Sequence, residues 1–163
     1  MVLQICEDHI MSNKTKLQKE FWERFCKSHE KYSHLYNHNF DAWGFGDTPE
    51  MANELGQLVL EGKKIATTSL FHSYKGHESE LPQIGTYEMI LGGSLEPLCI
   101  IFTHELFVTT FDKVDSTHAR QEGEGDFTLQ YWRKVHHEFF SKYKPDLDGE
   151  DLVVGEKFNL VFK

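Results

Sequence analysis

The chain has no apolar run approaching the eighteen or so residues needed to span a bilayer, so no membrane segment is expected. Its first residues, Met1-Val2-Leu3-Gln4-Ile5-Cys6, offer neither a basic start nor a long apolar stretch, which argues against a secretory leader. Cysteine is scarce. Cys6, Cys26 and Cys99 form no Cys-x-x-Cys pair, and an odd, scattered count reads as reduced thiols of a cytoplasmic protein. Positive charge is also short: 17 Lys and Arg face 26 Asp and Glu, for a net charge of −9. Duplex binding is driven by phosphate neutralisation, so a long nucleic-acid helix is a poor partner for such a surface. A local basic cleft for a short single strand or a nucleoside remains compatible with it. Phosphate loops of the GxxxxGK[ST] type, GxSxG elbows and HExxH zinc motifs are all missing. The 10 histidines include His34 and His38 at i,i+4, but no cysteine or third ligand accompanies them, so neither metal nor cofactor is expected.

Large rings are plentiful instead. Phe 13, Tyr 6 and Trp 3 can fill a core, and 163 residues suit one domain with a peripheral extension. Leu17, Phe21, Trp22 and Phe25 recur at helical spacing and predict an amphipathic helix over Lys16 to Lys31. Met1 to Ser12 shows no clear period and reads as frayed. Tyr32 to Phe45 reads as an aromatic-rich loop. Asp47-Thr48-Pro49-Glu50 announces a second helix, capped by Asp47 or Thr48 and stopped at Gly62. Strands are predicted over Lys63 to Phe71, Thr86 to Leu91, Leu98 to Thr103, Leu106 to Phe111 and Lys157 to Phe162, with the third and fourth open to fusion through His104. A short helix over Ser116 to Gln121 and a long one after Asp126 complete the pattern. Strands and helices without regular alternation exclude a doubly wound parallel sheet. The expected fold is α+β, a small mixed or antiparallel β-barrel with helices outside it.

Two segments concentrate chemistry. In Gly62-Lys63-Lys64-Ile65-Ala66-Thr67-Thr68-Ser69, a helix stop delivers two lysines to the mouth of a strand. Alternation puts Lys63, Ile65 and Thr67 on one face and Lys64, Ala66 and Thr68 on the other, unless a turn or bulge after Gly62 lets Lys64 and Thr67 converge. A desolvated lysine beside a hydroxyl can act as base to a nucleophile. The alternative is a pair of solvated lysines before an ordinary Thr-rich strand. In Glu122-Gly123-Glu124-Gly125-Asp126, glycines allow a sharp turn that brings carboxylates near Lys64 or a ligand. The alternative is a connector in which Asp126 caps the next helix.

Gly62-x-Lys64-x-x-Thr67-x-Ser69, the strands up to Phe111 and Ala119-x-x-Glu122-Gly123 resemble an ASCH domain, over roughly residues 45–163. Phe45-Gly46-Asp47, the Glu122 to Asp126 loop and Trp132-Arg133 are similar to one bacterial subfamily of largely unassigned function. The resemblance implies a PUA-like β-barrel, with residues 1–45 as an N-terminal helical extension and residues 46–163 as the ASCH domain. It links the chain to RNA or modified-nucleoside chemistry. A bacterial branch hydrolyses the amide of acetylated cytidine with a Lys-x-x-Thr motif and a later Glu, which fall on Lys64, Thr67 and Glu122. Lys63, Ser69, Glu124 and Arg133 are then the expected substrate contacts, and the partner is a small nucleoside-like ligand or a short single-stranded RNA. Other branches are described as RNA-binding or nuclease-like. This chain differs from the hydrolase branch in its N-terminal helical segment and in carrying Ser69 where many relatives carry Arg.

Overall fold

Thr15 opens the first helix with a reciprocal cap: its side chain accepts from the Gln18 amide, and the Gln18 side chain accepts from the Thr15 amide. The computed structural model describes residues 15–163, so the expectations for Met1 to Ser12 and for Cys6 lie outside the described residues. Helix α1 (Lys16–Ser28) ends earlier than its apolar period suggests. His29 is extended, and the chain continues as a 3-10 turn from Glu30 to Leu35. Helix α2 (Pro49–Leu60) is capped by Thr48, which accepts from the Met51 amide. Asp47 instead accepts from Lys142 and Tyr143. Past the helix, Gly62 takes the left-handed conformation (φ 71) that turns the chain toward the sheet.

Among the described residues, five strands form one sheet: β1 (Asp41–Trp43), β2 (Ala66–Leu70), β3 (Tyr87–Leu91), β4 (Pro97–Thr110) and β5 (Leu152–Phe162). Their order is β1-β3-β4-β5-β2. Only β1 and β3 run parallel; the other neighbours are antiparallel. The sheet curls into a half-barrel with β1 and β2 as its two edges. The two strands expected on either side of His104 are one 14-residue strand, whose pairing with β5 shifts register between Thr103 and Glu105. Strand β1 falls in the stretch read as a loop. Three residues are too few to display alternation, and their conformation is set by pairing with β3. Among the described residues, the sheet begins at Asp41.

Alternation along β3 and β4 sends side chains to two cores. Met89, Leu91 and Ile100 meet α1 through Phe21, Trp22 and Phe25. Ile90, Cys99, Ile101 and Phe158 meet α2 and Phe45. Cys99 is fully buried there, and burial pushes its thiol pKa up to about 12. A third cluster joins Leu70 and Val153 to Phe111, to Ala119 on α3 (Ser116–Glu122) and to Trp132, Phe139 and Phe140 on α4 (Leu129–Phe140).

Trp22 is buried, stacks on Phe40 at 4.6 Å and packs beside Phe25. Truncating such a ring costs about 3–5 kcal/mol. Trp22→Ala should therefore lower the calorimetric melting temperature by roughly 10 °C. It should leave the near-ultraviolet signal of Trp132, on the far side of the fold, in place. A melting temperature equal to that of the parent would mean that α1 contributes nothing to the core.

Candidate functional site

The approach to β2 is spliced to the end of α3 by backbone contacts. The Lys63 and Lys64 amides both donate to Leu58 O, and the Ile65 amide donates to Gln121 O. Helix α3 starts at Asp115, which accepts from the His118 amide, and stops at Gly123 (φ 72). A Cβ on Gly123 would lie 2.3 Å from Lys63 O, so only glycine permits both this turn and this approach. The turn carries Glu122 and Glu124 over Lys64. Asp126 does not cap α4; it accepts from the amide and hydroxyl of Thr128, and Thr128 is the cap.

Lys64 is fully buried. Its Nζ donates to Glu122 Oε2 at 3.1 Å, Glu124 Oε1 at 2.8 Å and Glu122 O at 3.4 Å, and it lies 5.2 Å from the centre of the Phe45 ring. Burial alone would strip its proton, but the Glu124 and Glu122 charges outweigh burial and raise its pKa above the ordinary lysine value. The resting site therefore holds an ammonium. Glu122 is the hub of the cluster. Thr68 Oγ1 donates to its Oε1 at 2.6 Å and Trp132 Nε1 at 2.7 Å. His118 Nε2 lies 3.3 Å from Oε1 and His136 Nε2 3.4 Å from Oε2. Burial opposes its charge, yet its carboxyl lies well below the usual range, and among the described residues Lys64 lowers it most.

The structure brings together Lys64, Glu122 and Glu124 from the residues singled out in the sequence. Thr67 is buried on the opposite face of β2 from Thr68, in register with Glu156 of β5. Ser69 shares the Thr67 face and accepts from the Tyr74 hydroxyl at 2.8 Å. Lys63 is exposed and pairs with Glu61 at 2.7 Å. Arg133 turns outward to Asp112 and to the Asp112 and Val114 carbonyls. The alternation of β2 pointed to the Lys64 and Thr68 face, but no local pattern joins Thr68 to His118, Trp132 and His136. They meet because α3 and α4 pack beside one edge strand.

Among the described residues, Glu122, Glu124 and His136 offer donor atoms that converge within 4.8 Å, the spacing of a metal set. The Lys64 ammonium sits against both carboxylates and fills the place a cation would take. Glu124 also reaches a groove of about 530 Å³ between α2 and the start of α4, lined by Met51, Leu55, Leu58, Tyr131 and Val135. It is the link between the buried lysine and the surface.

A second carboxylate pair lies on the Thr67 face and gave no sequence signal. Glu88 accepts from Trp43 Nε1 at 3.3 Å, and Glu156 accepts from the Thr103 hydroxyl. Burial, then repulsion from Glu156, pushes the Glu88 pKa up to about 8, and burial raises that of Glu156. The Tyr74 hydroxyl on this side is pushed up to about 12, chiefly by burial. A carboxyl whose pKa rises on folding stabilises the fold fully below its ordinary value of 4.5, and this contribution is lost as pH climbs to about 8. The melting temperature should fall across that window, and Glu88→Gln should flatten the fall. An unchanged slope in scanning calorimetry would contradict the raised value.

No curated protein matches the chain. The ASCH domain of Lactobacillus crispatus JV V101 is similar, at 27% identity and a TM-score of 0.84, over 94% of this chain and 99% of that one. A protein of Enterococcus faecalis V583 is 35% identical with a TM-score of 0.76, over 88% of this chain and 87% of that one. The ASCH domain family model matches residues 41–162, from β1 to the end of β5. With its PUA-like half-barrel and a match over most of its length, the chain belongs to the ASCH domain family.

Proposed function

We propose that this protein hydrolyses the amide of a small acylated, nucleoside-like substrate, with Lys64 as the proton-transfer group, Thr67 as the nucleophile and Glu122 as the group that orients Lys64. The observation that carries this reading is the buried Lys64–Glu122 pair at 3.1 Å. Removing two charges from water costs several kcal/mol per ion, and apolar side chains would fill the same space at no such cost. A perturbed lysine in contact with carboxylates and next to a Thr-rich strand suits acyl transfer better than it suits stability.

In the reaction, the Lys64 amine, which reaches past the start of β2 to lie 5.2 Å from the centre of the Phe45 ring packed with Phe158 on the Thr67 face, takes the hydrogen of Thr67 Oγ1 as that oxygen attacks the amide carbonyl carbon. The C–N bond breaks, and the Lys64 ammonium so formed returns the proton to the leaving nitrogen. Water then cleaves the acyl–Thr67 ester, releasing the carboxylic acid and restoring the hydroxyl. Glu122 stays ionised, because Lys64, Thr68 and Trp132 all donate to its carboxylate. Glu124, at the groove, carries the Lys64 proton to and from solvent. A neutral nucleoside suits an acidic surface. A phosphate-reading site is disfavoured because Lys63 and Arg133 are engaged by Glu61 and Asp112.

Turnover of an acylated nucleoside, followed by chromatography, should be abolished in Lys64→Ala, Thr67→Ala and Glu122→Ala and retained in Lys63→Ala. Activity that survives Thr67→Ala but not Thr68→Ala would remove Thr67 as the nucleophile. RNA binding that falls steeply with salt, without turnover, would replace this reading altogether. The base must be the neutral amine, so kcat/KM should rise with pH as Lys64 loses its proton. Since Glu124 raises that pKa, Glu124→Gln should move the acid limb of the profile to lower pH.

A further inference from the structure

His136 belongs to α4, one turn after Trp132, and is completely buried. Its ring stacks on Trp132 at 4.1 Å and meets the Phe140 edge at 5.6 Å, so its orientation is fixed on both sides. Nδ1 lies 2.9 Å from the Trp132 carbonyl oxygen. A carbonyl only accepts, so Nδ1 carries a hydrogen. The other nitrogen, Nε2, has no hydrogen-bond partner among the described residues and lies 3.4 Å from Glu122 Oε2. If Nε2 were bare, its lone pair would face a carboxylate oxygen in a water-free interior, which is repulsive. With a hydrogen, the same contact is an ion pair.

We propose that His136 carries a hydrogen on both ring nitrogens and is a positioning residue that shares Glu122 Oε2 with Lys64, and so eases loss of the Lys64 proton. The consequence for turnover rests on the amide-hydrolysis reading above; the charge state of the ring does not. Glu122 Oε2 touches both Lys64 Nζ and His136 Nε2. A second cation on that oxygen weakens its hold on the ammonium, whereas Glu124 strengthens that hold from the groove side. Among the described residues, the groups that face this contact are Lys64 from the approach to β2, Glu122 and His118 from α3, and Glu124 from the following turn. From α4 itself, the Trp132 indole fixes the other carboxylate oxygen, so Oε2 cannot swing away from His136.

Nitrogen-15 spectra of the full chain with labelled histidine read the ring directly at pH 7. Two protonated ring nitrogens on His136, assigned by their loss in His136→Gln, are the expected result. A bare Nε2 would overturn the inference, whether or not the protein hydrolyses an amide. In kinetics, His136→Gln keeps a polar side chain but no charge and should move the acid limb of kcat/KM upward by roughly one pH unit, opposite to Glu124→Gln. A residue that only filled space would change stability without moving that limb, so an unmoved limb overturns the positioning role. A doubly protonated ring in a protein with no turnover would overturn the hydrolase reading and leave the assignment of the ring's charge standing.

Discussion

The ammonium of Lys64, enclosed between Glu122 and Glu124, is the contact on which the rest of this half of the molecule depends. It ties the approach to an edge strand to the end of α3 and to the turn before α4. Charges taken from water are tolerated only with good geometry and full hydrogen bonding. Here that geometry is supplied by rigid backbone. Leu58 O receives two lysine amides, Gln121 O receives the Ile65 amide, and Gly123 lies against Lys63 O as no other residue could. Replacing either partner would leave a buried charge without its mate, which is why the pair constrains the sequence more than it strengthens the fold.

The curled sheet separates two kinds of polar chemistry. On the Thr68 side, a carboxylate is surrounded by donors and stays ionised. On the Thr67 side, Glu88 and Glu156 sit close together with one good donor each, and both resist ionisation. The difference is not one of residue type, since both sites are built on glutamate. It comes from the number of donors each oxygen meets and the sign of the nearest charge. One strand, β2, has a threonine on each of the two sides: Thr68 donates to Glu122, and Thr67 lies in register with Glu156.

The family relation and the site chemistry support one another at different strengths. Similarity over residues 41–162 accounts for the half-barrel. The chemistry rests on distances within this chain, above all the contacts of Glu122. Cations expected to touch a ligand, Lys63 and Arg133, are instead held by acidic neighbours on the surface. On the amide-hydrolysis reading proposed above, recognition of the substrate falls to the groove beside Glu124 and to the uncharged groups around the lysine.

By itself, the sequence determined the helices, most of the strands and the two segments that carry the charge cluster. Apolar periods in α1, α2 and α4, Thr48 before Pro49, and Gly62 after a helix are local signals, and local backbone physics reads them. It also determined that Glu122 and Glu124 sit on a turn sharp enough to bring two carboxylates together. Tertiary structure alone decided the rest. Strand β1 exists because β3 lies beside it, and β4 is continuous because β5 absorbs the irregularity at His104. Thr68, His118, Trp132 and His136 converge on Glu122, and Glu88 meets Glu156, only when the sheet curls and α3 and α4 pack against its edge. These residues lie tens of positions apart, so no spacing along the chain encodes their meeting; the shared burial of their faces does.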